Sequence, residues 1–293
     1  MYLKFLLRRI LFIRAKFLTF LILPLVIFTS CRHSTFNGER AFQYIEELLV
    51  LGFRIPGSLS SIKTADYIRD HLERNNWSVE YQDFIFDGIQ LRNIIAKKSE
   101  GTPDIILGTH YDTRQTSDQE NDPYMQSLPV PGANDGASGT ALLIELSRHI
   151  IGNNKNIWLV FFDAEDQGEI NGWPWSLGAE FFASSLSDYP QQVVIVDMIG
   201  DQDLEIYIER NSNPELSLQI WDTAEKLGND KEFIKKSKFA LIDDHVPFLN
   251  RGISSALIID FDYPYWHTQE DTLDKVSGDS LRIVGEVLLD WIY

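Results

Sequence analysis

Cysteine is nearly absent: the 293 residues hold one, Cys31. A chain with a single thiol forms no internal disulfide and cannot assemble a thiolate-rich metal site. Bases are scarce as well, 26 Lys and Arg against 43 Asp and Glu, for a formal charge of -17. That balance argues against nucleic acid or an anionic membrane surface as a partner. Internal repeats, low-complexity linkers and a second composition regime are also missing. The bulk of the chain therefore reads as one large α/β domain.

The first thirty residues stand apart. "MYLKFLLRRILFIRAK" carries Lys4, Arg8, Arg9, Arg14 and Lys16 and no acid, and the apolar run "FLTFLILPLVIFTS" leads to Cys31. A basic region, an apolar run and small residues before a lone cysteine resemble a bacterial lipoprotein signal. Residues 1–30 are expected to be removed, with Cys31 lipidated, 31–38 as a tether and 39–293 as the folded domain. The product would be exported and held by its lipid on a bacterial membrane, facing the periplasm. Without residues 1–30 the balance is 21 bases against 43 acids.

Along that domain, helical and strand signals alternate. "ERAFQYIEELLVLG" is helical, and Ser61 or Thr64 could open a second helix, "ADYIRDHLERNN". Strand patterns follow in "WSVEYQDFIF", "RNIIAKKS" and "DIILGTHYDT". Residues 114–139 are polar and too long for a casual connection, which marks a functional loop. "TALLIELSRHII", "PELSLQIWDTAEKLG" and "GDSLRIVGEVLLDWIY" are helical; "NIWLVFFDAED", "QQVVIVDMIGD" and "SSALIIDFD" are strands. The pattern predicts a single α/β domain whose central sheet is mixed but mostly parallel and covered by helices on both faces.

In such sheets a ligand site lies beyond the carboxyl ends of the strands. Those ends carry His110 and Asp112, then Asp163, Glu165 and Asp166, then Asp197, then Trp266 and His267, while the long loop delivers Asp135 at a helix start. Buried carboxylates in this number need a shared cation. Imidazole and carboxylate donors without thiolate suit zinc in an open catalytic site.

"RIPGS", "THYDT", "GANDGASG", "FFDAEDQG", "VDMIGD", "DDHVPFLNRGI" and "YWHTQED" resemble, in order and spacing, the M28 zinc-peptidase family, and within it the glutaminyl-peptide cyclotransferase (glutaminyl cyclase) branch. The resemblance implies a zinc-aminopeptidase-like fold with one zinc per chain on Asp135, Asp166 and His267. It implies Glu165 as the proton-transferring residue, with Asp197 and Asp243 as its hydrogen-bonded partners. Where this chain has Asp166 the family usually has glutamate, one methylene longer. Asp112 resembles the carboxylate that orients His110. His110 and Asp197 are the residues that a two-zinc aminopeptidase of the family would add as ligands of a second ion. Trp266, together with Trp173 or Trp175, is expected to wall the substrate pocket. Asp163 is expected to cap a turn, His149 to end a helix, and His245 to be structural.

The reaction so implied is cyclisation of an N-terminal glutamine to pyroglutamate with release of ammonia. Aminopeptidase hydrolysis is the alternative, and a tethered binding protein without catalysis is a third. Expected partners are peptides or proteins with N-terminal glutamine, no nucleic acid, and a membrane only through the lipid; a monomer is expected.

Overall fold

The computed structural model describes residues 36–293. The expected signal segment and Cys31 lie outside the described residues. Two helices come first, α1 (Gly38–Val50) and α2 (Leu59–Arg74). The side chain of Ser58 caps α2 by accepting from Ser61 N. Ser61 and Thr64 do not open the helix, because both lie on its buried side, facing inward. A hairpin follows, β1 (Ser78–Phe86) and β2 (Ile89–Lys97). Asp87 and Gly88 turn it with φ of 48° and 78°, the left-handed pair that matches the twist of a two-residue hairpin.

The rest alternates. In chain order come β3 (Ile105–His110), α3 (Pro123–Gln126), α4 (Ala137–Leu146), β4 (Ile157–Phe162), α5 (Leu177–Ser185) and β5 (Gln192–Asp197). Then come β6 (Ile206–Ile208), α6 (Pro214–Leu227), β7 (Phe233–Ser237), α7 (Val246–Leu249), β8 (Ser255–Ile259) and α8 (Gly278–Ile292). The main sheet has the order β1-β2-β4-β3-β5-β8, and β6 and β7 form a separate parallel pair. The strands β4, β3, β5 and β8 run parallel, while β2 joins β4, and β1 joins β2, antiparallel. The sheet is thus mixed and flanked by helices on both faces, as the alternation predicted.

Continuous apolar strands make sense here because alternate residues feed two cores. Leu107, Val194, Val196 and Ile258 join α1, α4, α6 and α8 on one face, whereas Ile106, Val193, Ile195 and Leu257 meet α5 and α7 on the other. The chain leaves β3 for β4 on one side and returns to β5 on the other. That reversal opens a crevice at the carboxyl ends of β3, β4 and β5, where α/β sheets bind ligands. Among the described residues no helix is long and apolar enough to cross a membrane.

Candidate active site and metal centre

Every acid at the crevice arrives through a local backbone device. Four non-glycine residues there adopt left-handed φ: Ala164 (57°), Ser176 (56°), Met198 (44°) and His267 (56°). Such conformations cost on the order of 1 kcal/mol or more each and persist where packing over-determines them. They reverse the chain directly beside Asp163, Glu165 and Asp197 and at His267 itself. Gly136, at φ 86°, follows Asp135, and a Cβ there would stand 2.5 Å from Asp112 O. Only glycine lets α4 start that close to β3.

Two groups of side chains are arranged to chelate a metal ion, and they share Asp135. One is Asp135, Asp166 and His267; the other is His110, Asp135 and Asp197; within each, the donor atoms lie within 4.8 Å of one another, and all are buried. The groups differ in how their atoms are satisfied. His110 Nε2 meets Asp197 Oδ1 at 3.0 Å and its Nδ1 meets Asp112 Oδ1 at 3.4 Å, both with hydrogen-bond geometry. In the other group His267 Nε2 comes within 2.9 Å of Asp166 Oδ1. Yet both carboxylate oxygens of Asp166 are buried with no hydrogen-bond partner. Buried orphan carboxylate oxygens facing an imidazole nitrogen fit a cation that all three side chains ligate. The donor set fits zinc.

Each of these three residues is held by a further carboxylate. Asp271 accepts from the amides of Asn134 and Asp135 at 2.8 and 3.1 Å. Asp112 accepts from the amides of Glu165 and Asp166 at 3.0 and 3.3 Å. Asp118 Oδ1 takes His267 Nδ1 at 2.9 Å. Two buried arginines offset the negative charge: Arg54 donates to the carbonyls of Tyr111, Gly132 and Asp135, and Arg114 donates to Asp118 and to the carbonyls of Asp166 and Gly168. Sequence reasoning found none of Arg54, Arg114, Asp118 and Asp271 as site residues. Gly132 and Gly168, small residues under large neighbours, are the signal that was present: a Cβ on either would strike Arg54 or Trp175.

The electrostatics follow from this crowding. Burial, then the charge on Asp135, pushes the Asp166 carboxyl up to about 6. Burial pushes the His267 imidazole down, but Asp166 and Asp118 outweigh it and raise it to about 9. Burial lifts the Glu165 carboxyl well above its ordinary value; His110 opposes this, while Asp243, Asp244 and Asp166 add to it. Burial also drives Asp243 well up, reinforced by Asp197 and Asp244. Burial and the neighbouring acids thus favour the proton-bound form of Glu165, an environment suited to a group that passes a proton.

Glu165 and Asp243 sit together on a cavity of about 230 Å³ that also exposes Asp166, Trp175, Trp266 and His267. Glu165 Oε1 takes the Ser176 hydroxyl at 3.2 Å, Asp243 Oδ1 accepts from the amide of Asp244, and Asp197 Oδ1 meets His110 Nε2. Asp197 ends β5 beside β3, within reach of the His110 ring that ends β3.

Trp266 stacks on His267 with centroids 3.8 Å apart, and Trp175 lies near-parallel to the same ring at 6.1 Å. Trp173 does not reach this cavity; it packs edge-on against Phe86 and lines a separate pocket with Ile55 and Ile89. Trp173 follows the tight turn at Ile170–Gly172 in an extended conformation, and Trp175, two residues on, lines the cavity with Glu165. Asp163 Oδ2 accepts from the amide of Arg92 on β2 at 3.0 Å, and the Ala164 amide also holds its carboxyl. His149 pairs with Glu145 at 2.8 Å, and His245 with Glu209 at 3.1 Å, both away from the cavity.

Residues 93–292, which hold all of these candidate ligands, match peptidase family M28. The chain belongs to that family. It is 30% identical over 226 residues to the aminopeptidase YwaD of Bacillus subtilis, an alignment covering 69% of this chain and 44% of that one; the chain spans less than half the length of that relative. Two solved M28-type folds cover far more. A Zn-dependent exopeptidase from Parabacteroides distasonis superposes with a TM-score of 0.84 at 30% identity, over 89% of this chain and 99% of that one. The glutaminyl cyclase of Tannerella forsythia gives 0.82 at 31%, over 88% and 99%.

Proposed function

We propose that this M28 protein cyclises the N-terminal glutamine of peptides or proteins to pyroglutamate, releasing ammonia, with one zinc ion on Asp135, Asp166 and His267. The observation that carries the reading is the asymmetry between the two groups of possible ligands. The His110 ring meets Asp112 and Asp197 with hydrogen-bond geometry, whereas both oxygens of Asp166 lack a hydrogen-bond partner, which makes Asp166 the orphaned carboxylate among the candidate ligands. A single ion suits a reaction whose nucleophile is the substrate's own amine. Asp135, Asp166 and His267 would hold the zinc, which would supply Lewis acidity toward the glutamine side-chain carbonyl.

The protein's residues do the rest. Trp175 and Trp266 offer apolar walls for the side-chain methylenes and favour the folded conformer in which the α-amine faces the δ-carbon. Glu165 takes a proton from the attacking amine as the N–C bond forms, and returns it to the amide nitrogen as that C–N bond breaks and ammonia leaves. Ser176 fixes the carboxylate that makes both transfers. The aminopeptidase reading is favoured by the likeness to the aminopeptidase YwaD and to the Parabacteroides distasonis exopeptidase, and by the sharing of Asp135 between both groups, which a second ion would use.

The same reading extends to the whole chain: a monomer that is exported, lipidated at Cys31 and held at a membrane facing the periplasm. The basic region, the apolar run and the lone cysteine support it.

The test pairs two assays on purified protein: ammonia release from a glutamine-initiated dipeptide and hydrolysis of leucine anilide. Ammonia without anilide cleavage is expected, and Glu165→Gln should keep its zinc while losing at least about 100-fold in turnover. Rapid anilide hydrolysis with no ammonia would overturn the cyclase reading. Loss of zinc in Glu165→Gln would mean that the base and the ligand have been exchanged.

A further inference from the structure

The long polar loop between β3 and α4 contains an ion pair whose contacts all lead to the metal centre. Arg114 is 3% exposed. Its Nη1 donates to the backbone carbonyl of Asp166 at 3.0 Å, its Nη2 donates to the carbonyl of Gly168 at 3.2 Å, and its guanidinium lies 4.8 Å from the centroid of the Trp175 ring. Nε and Nη2 both donate to Asp118 Oδ2, at 3.0 and 2.5 Å. The other oxygen of Asp118 faces His267 Nδ1 at 2.9 Å. One arginine thus braces the backbone of one candidate ligand, the ring of another through Asp118, and the wall of the substrate cavity.

We infer that Arg114 and Asp118 are a positioning dyad that sets the tautomer of His267 and couples retention of the metal to the placement of Trp175. The inference rests on the one-metal reading of Asp135, Asp166 and His267. With both Asp118 oxygens acting as acceptors, one for the guanidinium and one for the ring, the one proton that His267 would keep on ligating a metal stays on Nδ1. Nε2 is then left with a lone pair directed at the cluster, which is the form an imidazole ligand must have. The loop is closed over this contact by bonds independent of the dyad: Gln119 N donates to His267 O at 3.3 Å, and Gln269 N donates to Glu120 at 2.9 Å. Asp118 is therefore held in place without being needed to hold the fold.

Asp118→Asn is the discriminating variant. An asparagine directs its carbonyl oxygen to the two guanidinium donors and presents its amide group to Nδ1. That favours the tautomer with the proton on Nε2, which must be displaced before a metal can bind. Zinc affinity, read by competition with a chromogenic chelator, is expected to fall about 10- to 100-fold, with the melting temperature of the metal-free protein unchanged within about 2 °C. Asp118→Glu, which keeps both acceptors, should recover part of the loss. Arg114→Lys, which cannot serve Asp118 and two carbonyls together, should weaken zinc and also raise KM through Trp175. Zinc affinity in Asp118→Asn within threefold of the parent would overturn the inference. So would an equal loss of stability in the metal-free protein, because the role would then be structural. Both readouts are independent of catalysis, so a wild-type protein that binds zinc but fails to cyclise glutamine would refute the proposed activity and leave the dyad untouched.

Discussion

Glu209 offers a sharp test of how the roof of the cavity is held. It follows β6, is 2% exposed, and its two oxygens take five contacts. Oε1 accepts from the amides of Asn211 and Leu241 at 3.0 and 2.9 Å. Oε2 accepts from the Ser212 amide and hydroxyl at 2.7 and 2.9 Å and faces His245 Nε2 at 3.1 Å. Leu241 and Asp243, which lie on the segment so tied, line the cavity. A glutamine at 209 must turn its amide group toward one of these sets of donors and orphan at least one buried N–H, at about 1–3 kcal/mol each. The titration points to a similar size. Burial pushes the Glu209 carboxyl up, but His245 and the amides of Asn211 and Leu241 hold it down to about 2 from an ordinary 4.5. At about 1.4 kcal/mol per tenfold change in proton affinity, that is on the order of 3 kcal/mol. Because the folded value is depressed, this stability is present in full above pH 4.5 and is lost as pH falls through about 2. Denaturant unfolding of the parent and Glu209→Gln should therefore differ by about 3 kcal/mol at pH 7, with the gap roughly halved near pH 3. A difference below 1 kcal/mol at pH 7, or one that does not narrow on acidification, would refute the reasoning.

Two further predictions concern the metal and the walls. Purified protein should bind about one equivalent of zinc, and returning zinc to chelator-treated protein should raise its melting temperature, since the ion binds the folded state selectively; two tightly held equivalents by elemental analysis would favour the two-metal peptidase reading. Trp175→Ala should raise KM for a glutamine dipeptide by about tenfold or more with zinc retained, whereas Trp173→Ala should change KM less than about twofold. The reverse order would return Trp173 to the substrate wall.

What could be read from sequence divides along a physical line. Strand-terminal acids were legible because burying a carboxylate at the end of one apolar run after another is too costly without a shared cation. The parallel core of β4, β3, β5 and β8 followed from the runs themselves. The antiparallel β1–β2 pair had a local mark as well, the Asp87-Gly88 turn. The short β6 and the half-polar β7 carried no such pattern. Arg54, Arg114, Asp118, Asp271 and Glu209 were illegible for a different reason. A charged residue in a polar loop reads as a solvated face, and its burial is decided by a contact made far along the chain. His267 and Asp118 are 149 positions apart, and Asp271 and Asp135 are 136 apart.

The same distinction explains why so many acids can share one crevice. Asp112 and Asp271 do not simply add charge beside the metal cluster; each engages both oxygens with backbone amides that lead into a ligand. The amide contacts hold these two acids as rigid supports, although burial and the charge on Asp135 still push the Asp271 carboxyl up to about 7. Both oxygens of Asp166 are buried without a hydrogen-bond partner. Its shortness against the glutamate that the family resemblance implies at this position therefore matters less than its freedom. His267 Nε2 lies 2.9 Å and Arg114 Nη1 3.6 Å from Asp166 Oδ1, and Asp112 and Arg114 hold the backbone amide and carbonyl of the same residue. A one-methylene deficit at a ligand can be met by moving the turn that carries it, and the structure builds that turn around a left-handed Ala164.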